Sequence, residues 1–118
     1  QSERVGRVLV IDDEPLIGKL VTRILGAHDV VVVHDGTTGL ARARREAWDL
    51  VLLDMNLPDL PGEVVATELA NLAPEKSSAV VRMSGGLMEP RPSGQKVLAK
   101  PFDPAALREL LKAQLQKH

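Results

Sequence analysis

The sequence predicts an α/β fold: a doubly wound, five-stranded parallel sheet with helices on both faces. Two observations carry this expectation. Short continuous apolar runs, at residues 8–11, 30–33 and 50–53, have the composition of strands buried on both faces. Between them lie segments whose apolar residues recur every three or four positions, the spacing of an amphipathic helix. Strands alternating with helices imply right-handed crossovers and a parallel sheet. A third observation bears on function. Four runs end in polar residues: Asp12-Asp13, Asp54, Ser84 and Lys100-Pro101. In a parallel sheet these ends meet at one edge, where ligands bind near the point of strand-order reversal.

The first strand is residues 8–11. Leu16, Ile17, Leu20, Val21, Ile24 and Leu25 then mark a helix, with Pro15 in its first turn and Gly26 at its end. Residues 30–33 form the second strand, and Asp35-Gly36 breaks it. Thr37 is the expected cap of a helix over 37–46. The third strand is 50–53, followed by a loop over 55–61 holding two prolines. Val64, Val65, Leu69 and Leu72 mark a third helix, ended by Pro74. Residues 79–83 and 97–99 supply the last two strands. The final helix has Asp103 as its N-cap, Pro104 at its first position, and Leu107, Leu110 and Leu111 as its buried stripe. The crossover before the fifth strand breaks the pattern. Residues 85–94 hold three glycines and two prolines and show no apolar stripe. A proline in a helix interior costs roughly 3 kcal/mol, so a loop or about one helical turn is expected there.

Composition narrows the function further. The 118 residues suffice for one domain with a real core. The net charge of -1 and the isolated Arg42, Arg44 and Arg45 cluster, read as a solvated helix face, give no footprint for nucleic acid. The absence of cysteine excludes disulfides, thiol catalysis and thiolate metal sites. Apolar runs are strand-length, too short for a membrane span, and no charged-then-apolar leader opens the chain. A cytoplasmic domain is expected, with no contact to nucleic acid or membrane of its own. The chain starts Gln1-Ser2 and enters its first strand almost at once, so residues 1–118 are expected to be one domain excised from a larger protein. Trp48 and Met83 read as packing residues, as does Met88, and Phe102 as the anchor of the turn into the last helix. His28 and His34 read as loop residues flanking the second strand, away from the site.

The strand-end residues carry the chemistry. Asp12, Asp13 and Asp54 crowded together repel one another unless a cation intervenes. Hard carboxylate oxygens favour Mg2+, or Mn2+, over zinc. Asp54, alone at its strand end, is placed to be a nucleophile, and a carboxylate attacking phosphorus gives an acyl phosphate. Lys100 offers a point charge and Ser84 a hydroxyl donor to phosphoryl oxygens. Taken singly, each motif has a plainer reading. Asp12-Asp13-Glu14-Pro15 also fits a helix start. Asp54 before a proline-bearing loop also fits a turn, as does Ser84-Gly85-Gly86. Their joint occurrence at strand ends favours one site.

These motifs resemble the receiver domain of two-component response regulators and hybrid histidine kinases. The resemblance runs from Val8 to Leu115. It rests on Val-Ile-Asp-Asp-Glu-Pro, Leu-Val-Leu-Leu-Asp-Met-Asn-Leu-Pro-Asp-Leu-Pro-Gly, Met-Ser-Gly and Lys-Pro-Phe. It implies a flavodoxin-like sheet of order 2-1-3-4-5 and Mg2+-dependent phosphorylation of an aspartate by a phosphohistidine. The partner implied is a histidine kinase or phosphotransfer domain. By position, Asp54 matches the phosphoacceptor, Asp12 and Asp13 the metal ligands, and Asn56 a backbone-carbonyl ligand to the same metal. Ser84 matches the switch hydroxyl and Lys100 the lysine that pairs with phosphoryl oxygens, with a cis Lys100–Pro101 bond.

Two departures qualify the resemblance. The family has an amphipathic helix where residues 85–94 argue against one. It also has an aromatic residue three positions before the lysine, where this chain has Val97. That aromatic reports the switch hydroxyl to the helix 4–strand 5–helix 5 face, so dimerisation through that face is not expected, and a DNA-binding effector is the weaker expectation for the parent protein. The Met-Ser-Gly motif and the proline-broken crossover point to a hybrid histidine kinase as parent. A single-domain regulator, or a docking module without phosphoryl turnover, is the alternative. A phosphatase on a related sheet would need an acid two residues after its nucleophile, where this chain has Asn56. A flavin site lacks its phosphate loop after the first strand. The domain is therefore not expected to be a conventional enzyme by itself; the transfer to Asp54 is autocatalytic.

Overall fold

The computed structural model describes residues 5–72, 80–85, 96–100 and 103–116. Their elements run β1 (Arg7–Ile11), α1 (Pro15–Ile24), β2 (Asp29–Val33), α2 (Gly36–Arg45), β3 (Leu50–Asp54), α3 (Gly62–Leu72), β4 (Val80–Gly85), β5 (Lys96–Lys100) and α4 (Pro104–Leu115). The strands form one sheet of order β2-β1-β3-β4-β5, parallel throughout. The predicted fold class and strand order are the observed ones. The loop or single turn expected over residues 85–94 gives up Gly85 to the end of β4, and its residues 86–94 lie outside the described residues. So do Pro74, Met88, the Lys100–Pro101 bond and Phe102.

Side chains alternate faces along a strand, and this sheet buries both sets. Val8, Val10, Leu50, Leu52, Val81 and Met83 meet Val21 and Leu25 of the α1 segment and Leu107 and Leu111 of α4. Leu9, Ile11, Val33, Val51, Leu53 and Val80 meet Leu40 of α2, Val65, Ala66 and Leu69 of α3, and Trp48. Helices α1 and α4 thus cover one face and α2 and α3 the other. Val8, Leu9, Val10 and Ile11 are all fully buried, which is why β1 reads as an unbroken apolar run. Trp48 packs as expected: it is buried, its Nε1 donates to the Arg42 carbonyl at 3.3 Å, and the Arg7 guanidinium lies 4.6 Å from its ring centre.

The helix ends follow local chemistry, with one correction. Pro15 opens α1, and Asp103 caps α4 by accepting the Ala105 N–H at 3.0 Å ahead of Pro104. The cap of α2 is Asp35 rather than Thr37: its carboxylate accepts the Thr38 N–H at 2.7 Å. Both residues are cap formers, and the helix takes the one that lets Gly36 enter its first turn. A Cβ on Gly36 would meet Val65 at 3.0 Å and Leu60 at 3.2 Å, so the bare glycine lets α2 start close against α3. No helix among the described residues is long and apolar enough to cross a membrane.

Candidate functional site

Strand order reverses about β1: the chain goes out to β2, then returns past β1 to β3. The carboxyl ends of β1 and β3 flank that crevice, the position where open α/β sheets bind ligands. Asp12 follows β1 directly. Its N–H donates to the Val33 carbonyl at 3.0 Å, extending the β1–β2 ladder by one residue. Its carboxylate is fully buried and accepts the Glu14 N–H at 2.8 Å, which turns the chain into α1. Asp13 is exposed beside it. Asp54 is the last residue of β3, is 3 % exposed, and accepts the Asn56 N–H at 3.0 Å.

Asp12, Asp13 and Asp54 each present a carboxylate oxygen within 4.8 Å of the others. At that range two negative charges repel by roughly 3 kcal/mol at an effective dielectric of about 20. A divalent cation between them would offset that repulsion. The donors are all hard oxygens, and no cysteine exists to add sulfur. This set suits Mg2+ or Mn2+ and disfavours zinc. The 55–61 loop follows Asp54 directly. Asn56 pairs with Pro61 in an isolated antiparallel bridge, and its side chain is exposed.

The register brings the remaining strand-end residues to the same edge. Asp54 aligns with Met83, and the Met55 N–H donates to the Met83 carbonyl at 3.2 Å. Ser84, the next residue, aligns with Ala99, and Gly85 aligns with Lys100. The backbone therefore sets Ser84 and Lys100 at the carboxyl ends of β4 and β5, in line with Asp54.

Two residues near this edge were not assigned to it from sequence. His34 is not remote from the site: its Nδ1 lies 3.1 Å from the Asp12 carbonyl oxygen. The in-register end of β2 against β1 puts it there, across 22 residues of sequence. Asp59, read as part of a proline loop, accepts the Gly36 N–H at 2.8 Å, the Thr37 N–H at 2.9 Å and the Thr37 hydroxyl at 2.7 Å. The Thr37 hydroxyl, then the Gly36 and Thr37 N–H groups, lower its pKa from 3.8 to about 2. His28 is a structural residue, its Nδ1 accepting the Gly6 N–H at 2.9 Å.

Known proteins place this arrangement. Residues 8–112 match the family model for the response regulator receiver domain. The transcriptional activator protein PfeR of Pseudomonas aeruginosa is 37 % identical across 94 % of this chain, which spans 38 % of the activator's length. NtrX of Brucella abortus superposes with a TM-score of 0.83 at 30 % identity, over 97 % of this chain and 27 % of its own. The receiver domain of the sensor histidine kinase PA1611, also of Pseudomonas aeruginosa, shares the fold at a TM-score of 0.80 and 22 % identity. The match covers 96 % of this chain and 99 % of that one, whose active-site cleft coordinates a magnesium ion. With its sheet order, its carboxylate crevice and a family match across nearly its whole length, the chain belongs to the response regulator receiver domains.

Proposed function

We propose that this domain accepts a phosphoryl group on Asp54 from a phosphohistidine of a histidine kinase or phosphotransfer protein. The observation that carries the reading is the convergence of Asp12, Asp13 and Asp54 within 4.8 Å at the strand-order reversal. An Asp54 carboxylate oxygen attacks phosphorus, the P–N bond to the donor imidazole breaks, and the imidazole leaves with the bonding pair. Asp12, Asp13, Asp54 and the Asn56 carbonyl would hold Mg2+, which neutralises charge on the phosphoryl oxygens when bound. The Ser84 hydroxyl donates to one phosphoryl oxygen and the Lys100 ammonium pairs with another. Their support is the shared carboxyl edge of β4 and β5. Incubation with acetyl phosphate and Mg2+ tests the reading: wild type should gain one phosphoryl group, and Asp54→Asn none. Equal labelling of both proteins would reject it.

The domain works as one part of a longer cytoplasmic protein. Its matching over 94 % of its own length to 38 % of a transcriptional activator supports a transcriptional regulator as parent, against the expectation from the sequence. A hybrid histidine kinase, the parent expected from the sequence motifs, has only the fold-level likeness to the PA1611 receiver behind it. The flanking reading frame separates the two, by encoding an effector domain or a kinase core. Val97 of β5, in register with Arg82 of β4, stands where the family has its aromatic residue. The phosphorylated domain should therefore sediment as a monomer; a dimer formed through β5 and α4 would contradict this.

A further inference from the structure

The 55–61 loop is short, holds two prolines and carries Asn56 beside Asp54. Two of its anchors are its own: the Asn56 N–H on Asp54, and the Asn56–Pro61 bridge that closes the loop on itself. Besides the Met55 N–H on Met83, a further anchor comes from a distant element. The Asp59 carboxylate takes two N–H groups and one hydroxyl from the first turn of α2, all at 2.7–2.9 Å. The donors sit at a helix N-terminus, where an anion is favoured. Leu60 completes the contact by packing against Gly36, whose missing Cβ leaves it room. Asp35 caps the same helix through the Thr38 N–H. Two carboxylates thus share one helix end, and one of them belongs to the loop.

We propose that Asp59 is a positioning residue: by bolting the 55–61 loop to α2, it fixes where the Asn56 main chain lies beside Asp54 and so tunes the affinity of the carboxylate crevice for Mg2+. The inference rests on the reading of that crevice as a metal and phosphoryl site. A merely structural role for Asp59 would stabilise α2 and leave metal affinity unchanged. Outer partners that orient metal ligands typically contribute about 10- to 100-fold in affinity. Here the ligand held is a main-chain oxygen at one remove, so the lower end applies.

The test measures Mn2+ binding by electron paramagnetic resonance, with Mg2+ competition, well below each variant's unfolding temperature. Asp59→Ala should weaken binding about tenfold. Thr37→Val, which removes one donor, should weaken it less, and Thr37→Ser should restore it. Asp35→Ala, which loosens α2 but not the loop, should bind as wild type. Acetyl phosphate kinetics should show the same split: Asp59→Ala needs more Mg2+ for half-maximal rate, yet reaches the wild-type rate at saturation. Wild-type affinity in Asp59→Ala would overturn the proposal, as would equal weakening by Asp35→Ala. If wild type itself bound no metal and took no phosphoryl group, the reading of the crevice would fail and this role with it. If wild type did both while Asp59→Ala matched it, the role of Asp59 alone would fail.

Discussion

A Cβ on Gly62 would lie 2.6 Å from the Met55 Cα, a backbone atom that cannot rotate away. The start of α3 therefore closes on the residue after Asp54 only because position 62 is glycine. Gly62→Ala should destabilise the domain by roughly 1–3 kcal/mol through that overlap, against the ~0.4–1 kcal/mol an alanine gains from a stiffer unfolded chain. Gly26 is the control. A Cβ there has its nearest neighbour at 3.6 Å, an ordinary contact, so Gly26→Ala should be neutral or slightly stabilising. Urea unfolding of both variants checks the pair. The crowded carboxylates make a second prediction. Without metal, Asp13→Asn should raise the melting temperature by relieving repulsion from Asp12 and Asp54. With Mg2+ at ten times its Kd, wild type should gain about 1.4 kcal/mol and Asp13→Asn much less. A melt in Mg2+ against one in chelator reads both effects.

Helix α2 shows where sequence stops being enough. Asp35 and Thr37 are both good caps, and nothing local ranks them. The choice is made by Leu60 and Val65, which need Gly36 inside the helix, and by Asp59, which occupies Thr37. These partners lie more than 20 residues away, beyond any helix or turn signal. The same distance hid His34, whose place beside Asp12 follows from the β1–β2 register. The caps also set a pH dependence. Asp59 has a folded pKa of about 2 against an ordinary 3.8. A folded value below the unfolded one contributes stability above pH 4, which is lost as pH falls through about 2. Asp59→Asn should therefore melt below wild type at neutral pH, and the gap should close between pH 4 and 2. A constant gap by circular dichroism would show that the charge of Asp59 contributes nothing.

The sheet was legible because its central strands β1 and β3 are buried on both faces, so they read as apolar runs and their carboxyl ends as abrupt polar stops. Asp12, Asp13 and Asp54 were found for that reason, and the register then aligned Ser84 and Lys100 with them. Each face of the sheet packs its own core against its helices. Leu52, fully buried between β3, α1 and α4, has little freedom to be replaced: Leu52→Ala should cost about 2–5 kcal/mol in chemical denaturation. All of this packing serves to hold one acidic crevice at the reversal of strand order. Its use as a phosphoryl site is tested most directly by intact-mass spectrometry of the domain after acetyl phosphate, in Mg2+ and in chelator, with the modified residue mapped. One phosphoryl group on Asp54, present in Mg2+ and absent in chelator, is the expected result. A phosphoryl group at another residue, or equal labelling without the cation, would contradict it.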